Sequence, residues 1–158
     1  MTSTASLPVR SGLPTDQVDV RGPRFAAWVT TGVLLAVLVA SGFSATAAAL
    51  TLAAQSVVFA VGAIRGPRNH PYGLIFARII APRLSPVTER EPVAPLRFAQ
   101  FVGLLFAAAG VGGFALGAPL VGVVATALAL VAAFLNAAFG ICLGCQIYPL
   151  VARARRTA

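Results

Sequence analysis

Four long apolar runs without a single charged residue dominate this chain. They cover residues 25–43, 46–64, 98–116 and 120–141. The hydrocarbon core of a bilayer is about 30 Å thick, and roughly 20 apolar residues of helix are needed to cross it. Each run is therefore long enough to span a membrane. The sequence predicts an all-α, polytopic bundle of four transmembrane helices, with the lipid bilayer as its first partner.

The composition argues against a water-soluble alternative. Hydrophobic residues make up 58% of the chain and charged residues only 10%, whereas soluble proteins carry roughly 25% charged residues. The 158 residues fit a single domain. We expect a polar N-terminal tail at residues 1–24, a membrane domain at 25–148 and a basic C-terminal tail at 149–158. The first segment is long, polar and carries two acids, so it predicts a disordered or surface-lying tail rather than a cleaved signal peptide.

A polar loop at residues 65–97 separates the second apolar run from the third. It contains six arginines and six prolines. Within the loop, residues 72–80 are mostly apolar but too short to span, and Pro71 and Pro82 bound them. This pattern predicts a short interfacial helix that lies in the plane of the headgroups.

The positive charge is distributed on one side only. The net charge of +8 comes from twelve arginines, with no lysine. With four spans, all twelve arginines fall in the two tails and the middle loop, and the turns near Ser44 and Ala118 carry none. The positive-inside rule then predicts that both termini and the loop are cytoplasmic, in a cell inner (plasma) membrane. Because the arginines flank apolar runs, they predict contact with anionic headgroups and no nucleic acid.

The only two cysteines, Cys142 and Cys145, form a Cys-x-x-Cys pair. Such a pair can close a disulfide, exchange with a partner thiol, carry a persulfide or supply two ligands to a soft metal. We expect it at the C-terminal end of the fourth helix, where the helix dipole opposes a thiolate. The positive charge that activates a thiol would then come from Arg153, Arg155, Arg156 or the middle loop. In the alternative interpretation both cysteines are small packing residues.

The single histidine, His70, lies in the middle loop, on the same predicted side as the cysteines. It is a candidate base. It is also a candidate third ligand of a metal site with the two cysteines, to which Asp19, Glu89 or Glu91 could add a fourth. The alternative is an interfacial histidine that caps the loop.

Three amides interrupt the apolar runs: Gln55, Gln100 and Asn136. Interhelical hydrogen bonding is the usual role of such groups. Contact with a quinone or another substrate is the alternative, and Gln100, Asn136 and the cysteines lie toward one membrane face. The chain carries no phosphate-binding or haem-binding motif, so the sequence identifies no cofactor.

Several separated motifs of the chain form a recognisable set. They are Val18-Asp19-Val20-Arg21, His70-Pro71-Tyr72-Gly73, Pro82-Arg83-Leu84, Glu91-Pro92 to Pro95, Arg97-Phe98-Ala99-Gln100, Ala133-Phe134-Leu135-Asn136 and Cys142-Leu143-Gly144-Cys145. Together they resemble one known family, the bacterial membrane proteins catalogued as domain of unknown function 4395. The resemblance covers nearly all of the chain from Val18 to Tyr148, and it implies an association with thioredoxin-like and sulfurtransferase proteins.

Three functions follow as hypotheses. The first is a thiol-redox or sulfur-handling membrane protein that works through the two cysteines with a thioredoxin-like or sulfurtransferase partner. The second is a non-enzymatic scaffold that docks a partner through the arginine-rich loop. The third is a small-solute carrier, against which stands the absence of charged residues and of broken helices within the spans. The sequence leaves open whether the protein is an enzyme and whether it is a homo-oligomer.

Overall fold

The computed structural model describes residues 17–157, with side chains described for residues 17–153. Four of its helices, at Arg21–Ser41, Ala45–Arg65, Val93–Ala115 and Pro119–Phe139, are each long and apolar enough to cross a membrane. This confirms the predicted all-α bundle and is compatible with a multi-pass membrane protein. In chain order the elements are β1 (Gln17–Asp19), α1 (Arg21–Ser41), α2 (Ala45–Arg65), α3 (Pro71–Ile75), β2 (Arg90–Pro92), α4 (Val93–Ala115), α5 (Pro119–Phe139) and α6 (Leu143–Thr157).

The helix ends lie at residues that start or stop helices for known reasons. The Ser44 side chain caps α2 by accepting a hydrogen bond of 3.2 Å from the Ala47 amide. Pro119 occupies the first position of α5, where a proline leaves no hydrogen bond unmade. Gly66 caps the end of α2, and Pro67 follows it and cannot extend the helix.

The first and third spanning helices begin earlier than predicted. α1 begins at Arg21 instead of residue 25, and α4 begins at Val93 instead of residue 98. Each helix begins with a short segment that contains arginine, Arg21 and Arg24 in α1 and Arg97 in α4. The predicted spans were uncharged runs and so began after these residues. Arg97 donates to the carbonyls of Ala63 and Ile64 at 2.9 and 2.7 Å, at the end of α2. The last carbonyls of a helix lack partners and attract positive charge, so this arginine ties two helices together.

The four long helices form a ring in which α1 and α4 each pack against both α2 and α5. Toward the turns at residues 42–44 and 116–118, buried apolar side chains pack into a core. We call this part the packed half. Its core includes Leu34, Val37, Leu52, Ala107 and Phe114, each at most 5% exposed. Large apolar side chains such as Leu35 and Leu50 point outward and are exposed, as lipid-facing positions would be.

The other end of the bundle carries the short elements, and we call it the polar end. α3 continues into a π-helical turn at Phe76–Ile80 and a 3₁₀ turn at Ala81–Arg83, where a short helix was predicted for residues 72–80. β1 pairs antiparallel with β2, so that Val18 lies opposite Glu91. Two expectations need correction here, since residues 17–24 belong to β1 and α1 instead of a tail, and residues 90–92 form a strand.

The C-terminal segment also differs from the predicted fourth span and basic tail. α5 ends at Phe139, short of the predicted residue 141, and the chain forms a separate helix, α6, over much of the predicted tail. α6 packs against α4, with the rings of Phe98 and Tyr148 5.9 Å apart. The predicted tail before Gln17, and the side chains of Arg155 and Arg156, lie outside the described residues.

Candidate functional site

Cys142 and Cys145 form a disulfide, with their Cα atoms 5.2 Å apart. Their position differs from the predicted one. Gly140 adopts a left-handed conformation, with φ 69°, and ends α5 two residues before Cys142. Such a conformation suits glycine because it lacks a Cβ atom. The pair therefore lies at the start of α6 and not at the C-terminal end of the fourth helix.

This position reverses the electrostatic environment that was predicted for the first cysteine. Cys142 directly precedes α6, and the amide of Cys145 donates a hydrogen bond of 3.2 Å to the Cys142 sulfur. A helix N-terminus carries partial positive charge and stabilises a thiolate. When the disulfide is reduced, Cys142 is thus the better stabilised thiolate of the two. The glycine before the motif was the sequence signal that could have indicated this break.

A close helix crossing fixes the cysteines against α4. Gly144, between the two cysteines, lies so near α4 that a Cβ atom added to it would be 2.6 Å from the Ala99 Cα atom. A larger residue than glycine does not fit there. Since Gln100 follows Ala99 in α4, this crossing brings the cysteine motif beside one of the predicted polar residues.

A cavity of about 800 Å³ occupies the bundle interior next to the polar end, and we call this part the cavity half. Most of its wall is apolar, with alanines and phenylalanines from α1, α2, α4 and α5. His70, Gln100, Asn136 and Cys142 all line it, whereas Cys145 does not. The structure therefore brings these four candidate residues to one space, and it leaves Cys145 and Gln55 outside the cavity lining. Cavities of 300 to about 1,000 Å³ are typical of small-molecule sites.

His70 is buried in this wall with 2% of its surface exposed. A Cβ atom added to Gly62 of α2 would lie 2.7 Å from the His70 ring and 2.9 Å from Gln100 Cγ, so both side chains press against the same glycine. Burial lowers the pKa of His70 to about 4. The imidazole is neutral near pH 7, with one nitrogen that donates and one that accepts. The expected loop cap is wrong, because the His70 side chain makes no capping hydrogen bond.

Several polar atoms around His70 have no hydrogen-bond partner among the described residues. They are both ring nitrogens of His70, Oε1 of Gln100 and Nε2 of Gln55. Gln55 Oε1 accepts a hydrogen bond of 2.8 Å from the hydroxyl of Tyr72, which also packs edge-on against the His70 ring. Burial raises the pKa of Tyr72. Sequence reasoning missed Tyr72, although its place two residues after His70 was the available signal.

Polar and charged residues of the polar end also line the cavity, and they are Gln17, Asp19, Arg68 and Arg90. Asp19 pairs with Arg21 at 2.8 Å, and Arg68 donates to the Gln17 carbonyl at 2.8 Å. Burial raises the pKa of Asp19, but the hydrogen bonds from Arg21 and the charges of Arg21 and Arg90 outweigh it, so that this pKa is lowered. The lining at the polar end thus combines neutralised and positive groups with an otherwise mostly apolar wall.

The same residues do not assemble into a metal site. Within residues 17–157, no group of three His, Cys, Asp or Glu side chains is placed to hold a metal ion. Cys142 and Cys145 are bonded to each other, and His70 makes no contact that would complete a ligand set with them and an acid. The hypothesis that Cys142, Cys145 and His70 share a metal therefore has no support in the described part of the chain.

Comparison with known proteins identifies a family and nothing closer. No curated protein and no solved structure matches the chain. The family described as Domain of unknown function (DUF4395) matches residues 18–153, which include the four long helices and all the described cavity-lining residues except Gln17. This match confirms the resemblance seen in the sequence motifs. The chain belongs to the DUF4395 family.

Proposed function

We propose that this protein is a thiol-redox protein of the bacterial inner membrane. Cys142 and Cys145 cycle between dithiol and disulfide and exchange with a thioredoxin-like or sulfurtransferase protein. One observation carries the proposal: Cys142 is at once a disulfide partner, the residue that precedes α6 and part of the cavity wall. A cysteine that only fills space between helices requires none of these three positions.

The exchange step follows from the environment of the two sulfurs. A partner thiolate attacks the disulfide, a mixed disulfide forms with one cysteine, and the other leaves as a thiolate. The better leaving thiolate is Cys142, since the start of α6 stabilises it. When the partner carries the disulfide, the Cys142 thiolate attacks it and holds the partner as a mixed disulfide on Cys142, with one partner thiolate leaving. The Cys145 thiolate then attacks Cys142, which forms the Cys142–Cys145 disulfide and releases the partner as a dithiol. Both cysteines are partly exposed, which allows a partner sulfur to approach.

The orientation in the membrane belongs to the same proposal. Arginines lie in the short elements and helix ends of the polar end, while the opposite turns at 42–44 and 116–118 have no charge. By the positive-inside rule the polar end, with both cysteines, faces the cytoplasm. Cytoplasmic thiols are kept reduced, so a disulfide there must be remade in every cycle. That requirement favours a catalytic pair over a structural one.

Trapping of mixed disulfides in cells tests the exchange. Cys145→Ser leaves the stabilised Cys142 thiol and should accumulate a partner linked through it, which non-reducing gels and mass spectrometry would identify. Cys142→Ser leaves only Cys145, which lies inside the first turn of α6, and removes the sulfur that accepts the hydrogen bond from the Cys145 amide, so this variant should trap much less. The double variant is the matched control and should trap nothing.

Equal behaviour of all three variants would refute the thiol cycle. The scaffold hypothesis makes a different prediction for the same partner. If the double serine variant still pulls down a partner, and replacement of the exposed Arg78 and Arg83 by glutamine abolishes it, the protein docks by charge instead.

A further inference from the structure

We infer that the cavity binds a membrane quinone, and that this quinone takes the two electrons of the Cys142–Cys145 dithiol. The inference rests on the proposed thiol cycle and names the oxidant that remakes its disulfide. It draws on three independent features: the shape and lining of the cavity, the unpartnered polar atoms in its wall and the position of Cys142.

The shape and lining fit a ring with an apolar tail. The cavity of about 800 Å³ is lined mainly by apolar side chains, among them Phe59 and Phe106, whose faces can lie against a planar ring. Leu128 and Val131 also line it, although each is more than half exposed. These two residues of α5 are therefore the place where we propose that an apolar molecule dissolved in the bilayer enters, with part of its tail left among the lipids.

The polar atoms fit the two carbonyl oxygens of a quinone. An unpartnered polar group in a buried site is unfavourable, so a side chain as buried as His70 needs a ligand that completes its hydrogen bonds. A quinone oxygen accepts a hydrogen bond, whereas a quinol hydroxyl donates one. A neutral imidazole can do either, and Gln100 and Asn136 each offer both an amide donor and an oxygen acceptor. The wall can therefore hold the oxidised and the reduced forms.

The position of Cys142 supplies the reaction. Its residue lines the cavity, and the crossing of Gly144 over Ala99 places the motif next to Gln100. Cys142 is a residue of the wall around the space in which the ring would lie, while Cys145 is not among the residues that line it. Cys142 is then the cysteine that meets the quinone, and Cys145 is the cysteine that closes the disulfide.

The step balances without any further reactant. Two S–H bonds are lost, one S–S bond forms between Cys142 and Cys145, and the sulfurs are oxidised by two electrons in total. The quinone accepts these two electrons and two protons, its two C=O groups become C–OH groups, and the quinol leaves to the bilayer. His70 can pass a proton to the nearer oxygen because its two nitrogens can donate and accept in turn.

Anaerobic mixing of the reduced, purified full-length protein with a short-tailed ubiquinone analogue tests this. Quinol absorbance and free thiols, counted with a maleimide, should change together, with one quinol per disulfide and a rate that saturates with quinone. Ala132 lines the cavity, so the larger side chain of Ala132→Leu would occupy part of it. This variant should lower the rate at low quinone concentration by about tenfold or more, which corresponds to the loss of about one well-placed contact with the quinone. Ala108→Leu, on the exposed face of α4, is the matched control and should leave the rate unchanged.

His70→Leu should raise the KM for quinone and leave the disulfide able to form with a soluble oxidant.

A rate of thiol oxidation that does not saturate with quinone, and that Ala132→Leu does not slow, would mean random thiol–quinone chemistry and would overturn the inference. So would a lipid acyl chain or another apolar molecule that mass spectrometry finds in the cavity and quinone does not displace. If quinone fails while Cys145→Ser still traps a partner, the thiol cycle stands and only this inference falls. If trapping fails as well, both fall.

Discussion

The packed half and the cavity half of this bundle use similar residues to opposite effect. In the packed half, Gly113 of α4 lies so close to α5 that an added Cβ atom would be 2.9 Å from the Gly122 Cα atom. In the cavity half, alanines of the same two helices line a space of about 800 Å³. Small residues allow helices to approach in lipid, but they also leave room when the backbones stay apart. Small-residue content alone therefore does not distinguish a tight bundle from a binding site.

What separates the two halves is the polar content of their walls. In the packed half, the buried Thr126 hydroxyl donates to the Gly122 carbonyl at 2.7 Å. In the cavity half, His70 and Gln100 keep buried polar atoms without a partner among the described residues. Buried polar groups with a hydrogen-bond partner are typical of packed interiors, whereas those without one need an explanation, which we propose to be a ligand. The following predictions test this distinction, from the largest expected effect to the smallest.

Gly113→Leu should be the most destabilising of these changes. Its side chain would collide with the α5 backbone, which cannot move away as a flexible side chain can, and we expect a loss of about 3 kcal/mol. Gly112→Leu is the matched control, since nothing lies within 4 Å of its added Cβ atom. Unfolding of both variants in detergent would measure the difference. Equal stabilities would contradict the close packing of this half.

Stability should depend on pH through His70. Its pKa is about 4 in the fold and about 6.5 when unfolded, so the unfolded state binds the proton more readily. The stability contributed by the neutral ring is complete above pH 6.5 and is lost as the pH falls through 4. Between pH 7.5 and 5 the loss should be about 2 kcal/mol. Unfolding of His70→Leu across the same range should lack this component, and an identical pH profile would show that His70 is not buried.

Enlarging an alanine should have opposite consequences in the two halves. Ala107→Leu, at a fully buried position, should overpack the core and cost about 2 kcal/mol. Ala132→Leu should change stability by less than about 0.5 kcal/mol, because its side chain extends into the cavity. Thermal unfolding of the two variants in the same detergent gives the comparison. A similar loss for both would mean that the cavity half is as tightly packed as the other.

Among the changes that should destabilise the fold, Arg97→Gln should have the smallest effect. Arg97 is exposed, and its two hydrogen bonds to the α2 carbonyls should contribute about 0.5–1 kcal/mol. Because the contribution is electrostatic, salt should weaken it. Unfolding of the variant at low and high salt checks this, with Arg65→Gln, at the end of α2 itself, as a comparison. A loss of several kcal/mol would mean that the polar end is held by charge more than by packing.

The spanning helices could be predicted because length and apolarity alone define a transmembrane helix in lipid. The start of α6 could not, because the break at Gly140 depends on one backbone conformation inside a run that remains apolar through Ile141. The pairing of β1 with β2 joins segments that are far apart in sequence. Each strand has only three residues, which is too short for an alternation of apolar and polar residues to indicate a strand. The candidate residues His70, Gln100, Asn136 and Cys142 were identifiable by type. Their common cavity required the helix crossings, which the sequence does not specify.

The most direct test of the central claim is the redox state and sidedness of Cys142 and Cys145 in intact cells. Membrane-permeant and impermeant maleimides, applied with and without prior reduction, would be read as mass shifts of the full-length protein. The thiol cycle predicts that a fraction of the pair labels only after reduction, and that only the permeant reagent reaches it. Two cysteines that remain free, or that never react even after reduction, would contradict a thiol cycle and leave them as packing residues.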